Sequence, residues 1–306
     1  MRLSSRQWNS LPRAIWAAIK GFIEDGCTAM AAGLAFYTLF AIPPLLALLT
    51  FAAASAIPPD TVRETLSEQI QNVAGPGGAA QIIDLVEESR RPDVSQPAAW
   101  IGLLTLLFSA TGVLVQLQSA LNAAWHVTPD PQRSKVRTFL LKRLVSLALL
   151  AGFGFMLLVS LAVSTVLAGF GDIVEQSVPN WISKWVLQLA DFLLSLAVIS
   201  FLFTVIFQYV PDAKVRWRDA LVGGWFTGLF FTIGKVLIGY YIGRSDPGSV
   251  FGAAGSLAVA LLWIYFSTAI LLFGAEFTQS WASERGQPII PSEGAVGVRR
   301  TIERTA

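Results

Sequence analysis

The chain has 306 residues, of which 54% are hydrophobic and only 14% charged, whereas a soluble domain carries about a quarter charged residues. Its mean hydropathy of +0.59 marks a chain composed for lipid, and a net charge of +2 is too small by itself to mark a nucleic-acid binder. The lone cysteine, Cys27, and lone histidine, His126, exclude an intrachain disulfide and any metal site built from several thiolates or imidazoles, while carboxylate-only ion sites stay open.

Residues 1–28 come first. Leu11, Ile15, Ile19, Phe22 and Ile23 recur at helical spacing with Trp8, Trp16 and basic residues between them, and Ser10 with Pro12 suits a helix start. The pattern predicts an amphipathic helix lying in the cytoplasmic interface, or one packed on the ends of the spans. No cleavable signal peptide is expected, because the first long apolar run begins only near Ala29. Cys27, where that run enters the membrane, reads as a small apolar residue.

Six segments then lack ionisable residues for most of a bilayer's thickness: Ala29 to Ile57, Ala98 to Trp125, Leu144 to Gly171, Phe192 to Val210, Ala220 to Gly234 and Pro247 to Ala275. A span needs about 20 apolar residues. The fifth segment reaches that only by continuing past Lys235 to about Gly243, which makes Lys235 an intramembrane charge. The expected fold is an all-α membrane protein, a six-transmembrane-helix bundle over 29–281. Pro43 and Pro44 fall inside the first span, where missing backbone donors mark a candidate hinge. Between the first two spans, residues 58–97 carry two short apolar stripes broken at Gly75-Pro76-Gly77-Gly78, which predicts an external helical hairpin. Residues 282–306, rich in Gly, Pro, Ser and mixed charge, are expected to form a disordered cytoplasmic tail.

Orientation follows from the distribution of Lys and Arg. One side holds four in the N-terminal stretch (Arg2, Arg6, Arg13, Lys20), five in the second connection (Arg133, Lys135, Arg137, Lys142, Arg143), three in the fourth (Lys214, Arg216, Arg218) and four in the tail (Arg285, Arg299, Arg300, Arg304). The other side holds Arg63, Arg90, Arg91, Lys184 and Arg244. The richer side is read as cytoplasmic, which places both termini there.

Polar and small residues inside the spans fall on single helix faces. The second span aligns Thr105, Ser109, Gly112, Gln116 and Ser119, with Asn122 one turn further. The fifth aligns Gly224, Gly228, Lys235 and Gly239, and the sixth aligns Ser256, Ala260, Trp263, Ser267 and Gly274. Such faces avoid lipid and point into the bundle, where they pack closely or line a solute path. Glu276 lies at the cytoplasmic end of the sixth span, either as an interfacial charge or as part of the interior set. Asp191 and Lys235 fall at matching depths near the outer third, so Lys235 either pairs with Asp191 or snorkels to the headgroups.

The strings AAGLAFYTLFAIPPLL (31–46), FSATGVLVQLQSALNAAW (108–125), the P-x-x-x-V-x-W-R segment from Pro211 to Arg218, Gly234-Lys235 and FGAAGSLAVALLWIYFSTAILLFGAEFT (251–278) resemble the YihY/BrkB family of bacterial inner-membrane proteins. The resemblance runs from about Gly26 to Thr278. It implies six spans in the bacterial cytoplasmic membrane but no settled activity: some members have carried a ribonuclease BN label, some are linked to serum resistance in virulence, and some have been proposed to export lipid or lipopolysaccharide precursors. Tyr37, Pro44, Asn122, Trp217, Lys235, Gly255, Trp263 and Glu276 match the family's motif residues by position. Phe36 departs from it, standing where members often have a second Tyr.

Three functions compete. Inward polar faces, a proline-interrupted first span and Lys235 favour a transporter or exporter of an amphiphilic, lipid-like envelope substrate, with membrane lipids around it and no cofactor. A non-catalytic membrane scaffold or envelope-maintenance protein would carry the same faces dry. A ribonuclease would need clustered carboxylates and histidines at a water-filled, nucleic-acid-accessible site, and the short cytoplasmic connections offer Asp130, Asp212, Asp219 and the isolated His126. The expectation is therefore no enzyme and no nucleic-acid partner.

Overall fold

A computed structural model of the chain describes residues 11–53, 112–130, 180–245 and 255–298. It is mostly helical: α1 (Leu11–Glu24), α2 (Cys27–Ala53), α3 (112–124), α4 (Asn180–Tyr209), α5 (Trp217–Ser245) and α6 (Gly255–Glu284), with four short strands β1 (Val127–Pro129), β2 (Ala213–Lys214), β3 (Ile290–Pro291) and β4 (Ala295–Gly297). Among the described residues, three stretches are long and apolar enough to cross a bilayer: Phe192–Tyr209 in α4, Trp217–Tyr241 in α5 and Leu257–Glu284 in α6. The apolar part of α2 described in full, Cys27–Ala41, is shorter. The expected external hairpin at 58–97 and the expected third span lie outside the described residues.

The chain divides into two units. The first contains α1, the end of α3, α4, α5 as far as Ile233, α6 from Ile270 onward and all four strands. Gly26, with φ of 67°, ends α1 in the left-handed conformation that glycine tolerates best, and its carbonyl accepts from the N–H groups of Ala29 and Met30 to start α2. Within this unit Ala14 and Ala18 of α1 are fully buried against Phe277 and Trp281 of α6, with Leu11, Ile15, Val222, Phe226 and Phe273 around them. Two alanines on one face let α1 sit close to α6. The opposite face leaves Trp16 and Ile23 71% exposed.

The packing of α4, α5 and α6 rests on glycine. A Cβ on Gly223 would collide with Thr278 of α6, and one on Gly274 would collide with Thr227 of α5. The arrangement is reciprocal, because both helices carry the spacing Gly-x-x-Phe-Thr: Gly223 to Thr227 and Gly274 to Thr278. Phe226 and Phe277 stack between the two motifs with centroids 3.7 Å apart. On the neighbouring face of α5, Gly224 meets Thr204 and the Ser200 carbonyl, and Gly228 meets Ser200 of α4. Lipid tails are as apolar as leucine side chains, so helices in a bilayer associate through such close approach rather than through the hydrophobic effect. Each threonine turns its hydroxyl back onto its own helix, Thr204 to Ser200 O, Thr227 to Gly223 O and Thr278 to Gly274 O at 2.7–2.8 Å, which leaves none of the three hydroxyls unmet at the contact.

Residues 282–298 differ from the disordered tail expected for 282–306. Helix α6 runs to Glu284 and closes at Gly286, whose φ is 69°, with Gln287 N–H donating to Ala282 O. The chain then pairs twice: β3 with β2 (Pro291 opposite Ala213, Ile290 opposite Lys214) and β4 with β1 (Gly297 opposite Val127, Ala295 opposite Pro129). Composition misled here because Gly286 and Gly294 serve turns rather than flexibility, and the strands are too short to show alternation.

The second unit contains α2, residues 112–120, and the parts of α5 and α6 at 234–245 and 255–269. Cys27, Ala31, Leu34 and Ala35 of α2 are buried, and the Thr268 hydroxyl of α6 lies 3.1 Å from Ala31 O as well as 2.9 Å from Ile264 O on its own helix. Gln116 Nε2 comes within 3.7 Å of where a Cβ on Gly33 would stand. The helical assignment of α2 continues through Pro43 and Pro44.

Candidate functional site

In the first unit the chain's scarce polar residues gather where α1, the end of α3, the α4–α5 hairpin and α6 meet. Asn122, on the last turn of α3, is buried; its Nδ2 donates to Asp212 Oδ2 at 2.8 Å and its Oδ1 accepts from the Asp212 N–H at 2.8 Å. The adjacent Trp125 donates Nε1–H to Ala275 O of α6 at 2.9 Å. His126 follows with φ of 53°, a left-handed conformation that costs a non-glycine residue about 1 to 3 kcal/mol. Three contacts hold it there. Its carbonyl accepts from Val298 N–H at 2.7 Å, its Nε2 lies 3.0 Å from Asp25 Oδ1, and its Nδ1 lies 3.5 Å from Gln279 Nε2. The Asp25 side chain is only 5% exposed, so a partner for its charge is required rather than optional.

Two further acids complete the cluster. Asp219, in the first turn of α5 where a carboxylate complements the helix dipole, is buried and lies 3.6 Å from Arg285 beyond the end of α6. Glu276 is buried with its carboxylate against Gly21 of α1, where a Cβ would collide with Oε2. The arrangement ties four backbone segments together through hydrogen bonds and an ion pair. Among the described residues no group of three His, Cys, Asp or Glu comes together to hold a metal ion.

The face of α4 that meets Gly224 and Gly228 of α5 carries polar atoms with no such ties. Among the described residues, Ser200 Oγ and Gln208 Oε1 are buried with no hydrogen-bond partner, as is Trp281 Nε1 on α6. Ser200 and Gln208 stand two turns apart, with Thr204 between them.

The residues singled out in the sequence land as follows. Asn122 and Glu276 enter the buried cluster. Gln116, Trp263 and Ser267 are half-buried in the second unit, where Ser267 Oγ donates to Trp263 O at 2.9 Å within α6. Gly224 and Gly228 sit against α4, whereas a Cβ on Gly239 would meet open space. Lys235 is exposed on α5. Ser109 and the side chains of Asp191, Ser256, Pro43 and Pro44 lie outside the described residues, so the Lys235–Asp191 pair does too. Sequence reasoning passed over Asp25, Gln279, Ser200 and the pairing of Gly223 with Thr278, and it named Asp212 only as an acid of a short connection, not as the partner of Asn122. A signal for the acids existed: a chain with so few carboxylates does not place one beside a span end without a partner nearby.

The family model described as Virulence factor BrkB matches residues 18–293. Curated relatives include a UPF0761 membrane protein of Pseudomonas paraeruginosa, 31% identical over 272 residues (86% of this chain, 61% of the relative), and one of Legionella pneumophila, 30% identical over 278 residues (89% and 63%). A UPF0761 membrane protein of Rhodospirillum centenum is 28% identical over 299 residues, which is 94% of this chain and 62% of the relative. The chain thus spans about three fifths of the length of the curated relatives it matches. No solved structure matches it. The family match over most of the chain and the apolar helices agree, and the chain belongs to the YihY/BrkB family of membrane proteins.

Proposed function

We propose that this chain is a six-span protein of the bacterial inner membrane, with both termini cytoplasmic, that exports an amphiphilic, lipid-like envelope substrate without being an enzyme. The observation that carries the export reading is the α4 face on which Ser200 Oγ and Gln208 Oε1 are buried and unpartnered. A polar atom left unmet inside a bilayer costs several kcal/mol, a cost that water or a solute's polar groups reaching that face would relieve, although Ser200 also packs against Gly228 of α5. The exposed Trp16 and Ile23, interleaved with exposed Arg13 and Lys20, fit α1 to the cytoplasmic interface. Against ribonuclease chemistry stands the use of the polar cluster's carboxylates: Asp25 faces His126, Asp212 faces Asn122 and Asp219 faces Arg285.

Cysteines at Ser200 and Gln208, in a Cys27→Ser background, test the export reading. Reaction of both with a membrane-impermeant, water-soluble thiol reagent is the expected result, and complete protection would favour a non-catalytic scaffold. The scaffold reading has its own support in the close glycine packing of α5 against α4 and α6. Topology is tested separately: reporter fusions after Arg133, Lys214 and Arg300 should report the cytoplasm and fusions after Pro76 and Ser177 the outside. An external C-terminus would remove the six-span arrangement.

A further inference from the structure

The hairpin between α4 and α5 carries a pocket that the export reading leaves unused. Tyr209 closes the apolar stretch of α4 and Trp217 opens that of α5. Residues 210–216 therefore lie at the depth where a bilayer's headgroups begin. Lys214, Arg216 and Asp219 line one side of the pocket and Ala282, Gln287 and Ile290 the other, around an open volume of about 220 Å³.

Its charge is positive where it is reachable. Lys214 and Arg216 are exposed. Asp219 is buried and lies 3.6 Å from Arg285, so the acid in the wall is already matched. Lys214 does approach Glu293 at 3.6 Å, but the Glu293 side chain is 90% exposed, and so open a pair yields readily to a better anion. Arginine adds a planar fork that fits phosphate oxygens. The rings of Tyr209 and Trp217, 5.9 Å apart and each about half exposed, supply amphipathic surface at the same level.

We propose that this pocket holds the headgroup phosphate of an anionic phospholipid, with Lys214 and Arg216 on the phosphate and the Tyr209–Trp217 pair against the glycerol and first acyl carbons. Charge complementarity selects an anionic over a zwitterionic headgroup, and the aromatic pair at the ends of two spans selects a lipid over a free anion. The proposal rests on reading α4, α5 and α6 as membrane spans and does not depend on what is exported.

Native mass spectrometry of the full chain in detergent, titrated with phosphatidylglycerol, phosphatidylcholine or inorganic phosphate, tests it. Wild type should retain phosphatidylglycerol in preference to phosphatidylcholine. The double variant Lys214→Gln/Arg216→Gln should weaken that binding by about 25-fold, roughly fivefold for each cation near a lipid phosphate. Lys214→Arg/Arg216→Lys, which keeps the charge, should stay close to wild type. Arg13→Gln/Lys20→Gln, which removes the same charge from the exposed side of α1, should weaken binding by no more than roughly a few-fold, the general attraction of interfacial cations. An equal loss in that control would reduce the effect to general attraction and overturn the pocket. Equal retention of the two lipids would overturn it as well, and so would retention of inorganic phosphate with no advantage for lipid. Extraction of the chain from membranes by alkaline carbonate would instead remove the span reading beneath it, while the outcome of cysteine labelling at 200 and 208 leaves this site untouched.

Discussion

Gly274→Ala and Gly223→Ala should each destabilise the protein by about 1 to 3 kcal/mol, the range for overpacking a close-packed interior. Elsewhere in a helix the same change adds about 1 kcal/mol of stability, because glycine is the poorer helix former. The sign reverses here because of what the new methyl meets. At Gly274 it lands on Thr227, with Cβ and Cγ2 both 2.8 Å away, and at Gly223 on Thr278, with Cβ 2.9 Å and Cγ2 3.0 Å away. These are atoms at the base of a branched, fully buried side chain, which cannot swing aside as the tip of a flexible one could. The helices must separate, and with them the stacked Phe226 and Phe277. Gly21→Ala is the contrasting case: its methyl would meet chiefly the far end of Glu276, which can turn, so its loss should be smaller. Thermal unfolding followed by size-exclusion dispersity in detergent measures all three. Gly274→Ala at or above wild-type stability would show that α5 and α6 do not meet at these residues. Thr227→Gly combined with Gly274→Ala should recover part of the loss, the non-additivity expected of residues in contact.

This interface shows how far the sequence could be read. Helical periodicity placed Gly224 and Gly228 on one stripe with Lys235 and Gly239, and the first two do meet a neighbouring helix. The stripe was nevertheless only half of the arrangement. Adjacent glycines at 223 and 224 point about 100° apart, so a single Gly-Gly pair serves two partners, Thr278 of α6 on one side and Thr204 with Ser200 of α4 on the other. A search along one face at a time cannot see this. The repeated Gly-x-x-Phe-Thr spacing was present in the letters, but reciprocity between two antiparallel helices appears only when they are side by side. The three long spans among the described residues were legible because length and hydropathy are local properties. The polar cluster was not, because its partners are joined across 90 residues for Asn122 and Asp212 and 101 for His126 and Asp25. Asn122 can be singled out, and Asp212 stands out only as an acid in a short basic connection; nothing local joins the two.

The reciprocal bond between Asn122 and Asp212 predicts an order of effects rather than a single loss. Asn122→Ala removes a donor to a carboxylate and an acceptor for a backbone N–H at one stroke, both at 2.8 Å and at a buried site, and should cost roughly 2 to 4 kcal/mol. Asn122→Asp has nearly the same shape but replaces the donating amide with a second carboxylate facing Asp212 Oδ2. Two like charges at that separation in a partly buried site repel strongly, so this near-isosteric change should be the more damaging of the two and leave little folded protein. Asp212→Asn keeps the backbone N–H to Asn122 Oδ1 and offers a neutral oxygen to Nδ2, so a loss of about 1 kcal/mol is expected. A side chain engaged only sterically would give the reverse ranking, with alanine worse than aspartate because alanine leaves the cavity. The unfolding midpoints of the three variants, measured in one detergent, decide between the two rankings. Asn122→Asp as stable as wild type would mean that the end of α3 is not fastened to the α4–α5 hairpin through this pair.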